Sequence, residues 1–116
     1  MQEFVDAFNA GSVEAVAALL DEDAVAWVEG APFPREEGAD NIRATSLPHL
    51  LEGNRLRAIP GSDWIWLQNG NGELEVAIEW VAHEGRMTSL RYVTAPHAGE
   101  ELQRLAVIAG MPAASA

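Results

Sequence analysis

Glu79 and Tyr92 are the residues whose types and spacing point most directly to chemistry. The stretch GELEVAIEWVAHEG (72–85) alternates like a β-strand and ends in Glu84-Gly85, a two-residue hairpin turn. RMTSLRYVT (86–94) then returns as its partner. Pairing outward from such a turn sets Glu79 opposite Leu90, Ala77 opposite Tyr92 and Val81 opposite Thr88. On the other face Trp80 meets Ser89 and Ile78 meets Arg91. Tyr92 then lies about 7 Å from Glu79 on the diagonal. A carboxylate stripped of water titrates closer to neutrality. A carboxylate with a hydroxyl donor beside it is the minimum equipment for moving a proton next to a carbonyl. Two orientations of this ribbon compete. In one, the face of Leu74, Val76, Ile78 and Trp80 is the dry core, and Glu73, Glu75 and Glu79 stand in water. In the other, Glu79, Leu90 and Tyr92 line a concave inner wall.

The remaining candidates each carry a plainer alternative. His49, beside Pro48, is either an acid or base at a cavity mouth or a surface residue. His83 and His97 read as exposed. Trp64 and Trp66 share a strand face and either stack on a flat ligand or pack. PREEGAD (34–40) gathers Arg35, Glu36, Glu37 and Asp40 at a helix start, where an acidic residue suits the helix dipole. NGNG (69–72) is a hairpin signal and not a phosphate loop, since it lacks the lysine and the following helix.

Composition removes whole classes of function. With no cysteine, disulfides, zinc–thiolate sites and thiol nucleophiles are excluded. Three scattered histidines make no metal motif, so neither metal nor cofactor is expected. A net charge of −11 argues against nucleic acid and anionic membrane as partners. The start, MQEFVDAF, is acidic and helical and not a secretory signal, and no apolar run reaches membrane-spanning length. A cytoplasmic protein is the expectation.

The elements that must position these residues follow from periodicity and punctuation. Phe4, Val5 and Phe8 share a helix face that Gly11 ends; Ser12 caps a second helix carrying Val13, Val16, Ala17 and Leu20. DED (21–23) reads as a turn, AVAWVEG (24–30) as a strand and APFPREEG (31–38) as a loop. A third helix from Ala39 is kinked or split by Pro48, with Ser46 able to cap the restart. Strands follow at NRLRAIP, DWIWLQ, 73–82 and 86–94, and a helix spans 99–110 with Leu102, Leu105 and Ile108 on one side. Strand and helix runs are segregated, which predicts an α+β fold with a curved antiparallel sheet. The length fits one domain, taken as residues 1–112, with 113–116 a disordered tail.

The chain also resembles nuclear-transport-factor-2-like proteins, including the SnoaL-like polyketide cyclases and ketosteroid isomerase. FNAG between two helices, ALLDEDAV leading into a strand, GADNIR opening the third helix and EGRMTSLRYV in the final hairpin carry the resemblance, over residues 3–94. It implies a cone-shaped α+β fold, a mixed sheet wrapped around N-terminal helices, with a deep apolar pocket and commonly a dimer; the terminal helix is an addition. Placed on ketosteroid isomerase, the general base falls on Val28, the oxyanion-holding tyrosine on Phe4 and the second donor on Glu79, so one position of three keeps an acid. The resemblance favours the orientation with Glu79 inside. It implies a pocket lined by Phe4, Phe8, Val28, His49, Ala77 and Leu90, with Glu79 as acid/base and Tyr92 as hydrogen-bond donor. It implies a homodimer through Val76, Ile78, Trp80 and Arg91 on the outer face. The implied function is binding of a small, mostly apolar molecule, with or without cofactor-free isomerase or cyclase chemistry. The alternative is a non-catalytic dimerisation or sensor domain with a filled pocket.

Overall fold

A computed structural model describes residues 1–29, 33–59, 62–94, 99–108 and 110. His97, Pro96 and the expected tail at 113–116 lie outside the described residues. The elements are α1 (Gln2–Asn9), α2 (Val13–Ala17), β1 (Leu20–Val28), β2 (Glu36–Glu37), α3 (Ala39–Ala44), α4 (Ser46–Leu51), β3 (Arg55–Ala58), β4 (Trp64–Gln68), β5 (Leu74–His83), β6 (Arg86–Thr94) and α5 (Glu100–Ile108). The fold is α+β. Its six strands form one curved, unclosed sheet in the order β2-β1-β6-β5-β4-β3, mixed because β1 and β6 run parallel.

Local chemistry explains the helices. The Ser12 hydroxyl caps α2 by accepting from Ala15 N–H at 3.1 Å. Gly11 takes φ 78°, which lets the chain reverse between α1 and α2. Asn9 then fastens the end of α1 to the edge strand: its side chain accepts from Leu56 N–H at 2.7 Å and donates to Leu56 C=O at 2.9 Å. The long third helix is split, as Pro48 predicts. The break falls at Thr45 (φ −113°, ψ −80°), and Pro48 sits in the first turn of α4, where a missing N–H costs nothing. DED (21–23), read as a turn, belongs instead to β1, whose register against β6 shifts between Leu20 and Val25 and absorbs the polar run.

The decisive correction concerns the β5–β6 ribbon. The turn at Glu84 and Gly85 (φ 53° and 82°) has the positive angles of a two-residue hairpin, and His83 pairs with Arg86 as expected. Two pairs further out the register shifts: Ala82 pairs with Met87, but Val81 pairs with Ser89. Thr88 is the extra residue of a β-bulge, and its hydroxyl donates to Val81 C=O at 3.3 Å. A one-residue slip moves every later side chain of one strand to the opposite face. Glu79 therefore pairs with Arg91, Ala77 with Val93, Ile78 with Tyr92 and Trp80 with Leu90.

That slip gathers Val76, Ile78, Trp80, Leu90 and Tyr92 on the concave side, where they pack with Phe4 and Phe8 of α1, Val16 of α2, Ile42 of α3 and Leu47 of α4. Phe4 and Trp80 meet edge-on, with ring centroids 5.8 Å apart. Glu79 and Ala77 face the other way. Three of the four residues expected at an outer dimer surface, Val76, Ile78 and Trp80, are inside, and Arg91 alone is on the outer face. A row of partners crosses that face: Trp27, Arg91, Glu79 and Trp64 on four successive strands. Arg91 bonds Glu79 at 3.3 Å and Glu29 at 3.4 Å, and its guanidinium lies over the Trp64 ring. A second bulge at Glu75 turns Leu74 outward, where it joins Ile59, Trp66 and Ala77. Leu102 and Leu105 of α5 pack on this cluster together with Trp64, so the terminal helix covers its own sheet.

Ile78 is 1% exposed and Val81 40%. Ile78→Ala is expected to lower unfolding free energy by about 2–5 kcal/mol in chemical denaturation. Val81→Ala is expected to shift it by no more than about 0.5 kcal/mol. A larger loss at 81 than at 78 contradicts the inward orientation of the Ile78 face.

Candidate functional site

The Phe4–Trp80 contact and the side chains of Phe8 and Leu90 fill the foot of the cone, and open space is left nearer its mouth. There a cavity of about 800 Å³ is bounded by four groups of residues. Ala26 and Val28 come from the inner side of β1; Val76, Tyr92 and Thr94 from β5 and β6; Asn41, Thr45, Ser46, His49 and Leu50 from α3 and α4; Phe33 to Glu36 from the segment entering β2. Its size suits a small organic ligand. Trp27 and Arg35 frame one edge, with the guanidinium 4.7 Å above the indole ring.

The polar groups cluster at the α3–α4 break. Glu36 Oε1 accepts from Ser46 N–H at 3.3 Å and meets the Thr45 hydroxyl, whose single proton is shared between Glu36 Oε1 and Asn41 C=O, the latter 2.6 Å away. The irregular backbone at Thr45 thus ends α3 and also orients a carboxylate into the lining. Ser46 Oγ is buried beside this network without a hydrogen-bond partner of its own. Across the cavity stands Tyr92, buried at 5% exposure. Burial drives its hydroxyl well above the ordinary value of 10.0, and the negative charge of Glu36 pushes in the same direction. Tyr92 consequently keeps its proton at every working pH and is a donor.

Of the residues expected at the site, Val28, His49 and Tyr92 line the cavity. Phe4, Phe8 and Leu90 lie beneath it as packed core. Ala77 and Glu79 are on the opposite side of the sheet, Glu79 beside a smaller cavity of about 310 Å³ under α5. The carboxylate that does line the mouth cavity is Glu36. In the sequence it stands only as one of the charged residues gathered in PREEGAD (34–40). Among the described residues no cluster of His, Asp and Glu could hold a metal ion, and no helix is long and apolar enough to cross a membrane.

This arrangement of helices under a curved sheet with a cavity at the mouth defines a class. Residues 1–108 match the SnoaL-like domain, and the chain belongs to that family. A candidate ketosteroid isomerase from Kribbella flavida superposes with TM-score 0.62 at 19% identity, over 85% of this chain and 76% of that one. An NTF2-like protein of unknown function from Cytophaga hutchinsonii gives 0.59 at 18% identity, over 82% and 86%. A candidate polyketide cyclase from Sinorhizobium meliloti gives 0.56 at 18% identity, over 78% and 89%. At these identities the likeness is one of fold. Comparison with curated protein sequences gives no match.

Tyr92 is the only tyrosine, so its ionisation is directly visible by absorbance. Its folded pKa is raised, so it stabilises the fold fully below the unfolded value of 10.0, and that contribution is lost as pH climbs above it. Each pH unit in that range is expected to cost up to about 1.4 kcal/mol. Tyrosinate absorbance should appear only as the chain unfolds, and Tyr92→Phe should flatten this alkaline loss. A reversible titration near pH 10 in the folded protein contradicts the burial.

Proposed function

We propose that the chain binds a small, neutral, mostly apolar organic molecule in the mouth cavity and performs cofactor-free proton transfer on it, of isomerase or cyclase type. In this reading the walls formed by Ala26, Val28, Leu50 and Val76 hold the apolar body. Tyr92 donates a hydrogen bond to a carbonyl oxygen of the ligand. Glu36 removes a proton from the adjacent carbon, and the negative charge that develops on the oxygen is stabilised by the Tyr92 donor. Returning the proton from Glu36 to a different carbon gives an isomer and restores both residues.

The observation that carries this reading is the convergence of one held carboxylate, Glu36, and one buried hydroxyl, Tyr92, on a mostly apolar cavity. His49, exposed at the same wall, is a second group able to relay the proton to water. The family membership supports a ligand-binding role. A sensor domain with a filled pocket is disfavoured, since the filling residues stop short of the mouth.

The test uses 2-tetralone, a neutral apolar ketone with acidic α-hydrogens. Saturable binding and catalysed deuterium exchange at its α-carbon are expected in NMR. Glu36→Gln should slow the exchange by about 10²–10⁴-fold with binding changed only slightly. Tyr92→Phe should slow it by about 10²–10³-fold. Exchange in Glu36→Gln at the original rate removes Glu36 from the chemistry. Binding without exchange turns the reading into one of binding alone.

A further inference from the structure

We infer that the ligand of this cavity carries a hydroxyl group, which bridges Ser46 and Glu36. The inference rests on the cavity being the ligand site and goes on to name what the ligand must present. Two hydrogen-bond donors of the α3–α4 break are already committed to the protein. The Ser46 N–H serves Glu36 Oε1, and the single proton of the Thr45 hydroxyl is shared between Glu36 Oε1 and Asn41 C=O. Ser46 Oγ is left out: it is buried and has no partner, although Ser46 lines the cavity. A buried hydroxyl without a partner costs free energy in the empty protein, and that cost is recovered when a partner arrives. A staggered rotation about χ1 re-aims the hydroxyl without moving the backbone.

The chemistry of the two neighbours decides what the partner is. Glu36 is an acceptor, and the lone pairs of its second oxygen take no part in the bonds named above. Ser46 Oγ both donates and accepts. A ketone oxygen cannot donate to Glu36. An ammonium group donates to both but leaves the serine proton unmet. A carboxylate on the ligand is repelled by Glu36. A neutral hydroxyl donates to the Glu36 carboxylate and accepts from Ser46, satisfying both groups at once. The ligand class is therefore an apolar molecule with a hydroxyl at the Ser46–Glu36 wall, in addition to the oxygen that meets Tyr92.

The probes are 2-naphthol and naphthalene, which share an apolar body and differ by one hydroxyl, titrated against the full chain by ligand fluorescence at neutral pH. The wild-type protein is expected to bind 2-naphthol about tenfold more tightly than naphthalene. Ser46→Ala should erase most of that preference while leaving naphthalene affinity within about twofold, and its thermal midpoint should not fall, because an unsatisfied group has been removed. Ser46→Thr, which keeps a hydroxyl, should retain the preference. Equal wild-type affinity for the two probes overturns the inference, as does a preference that survives Ser46→Ala. In both cases naphthalene still binds and the cavity stands as the ligand site. Failure of both probes to bind at all overturns the cavity reading together with this inference.

Discussion

One inserted residue, Thr88, decides what this molecule presents to its interior. Without it, pairing from the Glu84-Gly85 turn would set Trp80 and Tyr92 on opposite faces of the ribbon. With it, both join the concave side, and the inner row Val28, Tyr92, Ile78 and Ile65 runs continuously across four strands. The slip is stabilised by what it allows to be buried: Met87 and Leu90, three apart on the same strand, both reach the core under α1. It also sends Glu79 outward beside Arg91, where the charge has a partner and partial contact with water, instead of leaving a bare carboxylate against phenylalanine.

The same constraint sets the depth of the site. With Trp80 inside, its contact with Phe4 closes the foot of the cone, and the available volume moves up to the mouth. Small side chains keep it open there, Ala26 on one wall and Thr94 on another. The helix break at Thr45 contributes the polar edge. Pro48 prevents α3 and α4 from running as one helix, and the groups freed by that interruption, the Thr45 hydroxyl and the Ser46 N–H, fix Glu36. Fold and site thus share one cause at each end: a bulge places the tyrosine, and a proline-enforced break places the carboxylate.

How far all this was legible in the sequence depended on whether the signal was local. The Ser12 cap, the Gly11 reversal, the Asn-Gly and Glu-Gly turns and the effect of Pro48 are written in single residues, and each is found where the chain places it. The α+β class followed from the segregation of helix and strand patterns, and the family from its motifs. The bulge was not legible, because RMTSLRYVT alternates acceptably in either register and only tertiary packing chooses between them. Without that step Leu90 and Tyr92 share a face with Glu79, which favoured Glu79 inside over the other orientation weighed, with Val76, Ile78 and Trp80 in the core, and the structure has the latter. DED looked like a turn because three acids rarely enter a strand; a register shift accommodates them. Glu36 was visible as a charged residue in a loop, but its role depends on Thr45 and Ser46 folding back to meet it, which no spacing rule announces.

The orientation of the β5–β6 ribbon is the claim on which the cavity, its tyrosine and its carboxylate depend. Nuclear Overhauser contacts in solution test it most directly. Contacts are expected between the Trp80 indole and the Phe4 ring, with cross-strand backbone contacts between Glu79 and Arg91. Contacts of Glu79 with Leu90 across the strands, with the Trp80 indole distant from α1, would contradict it.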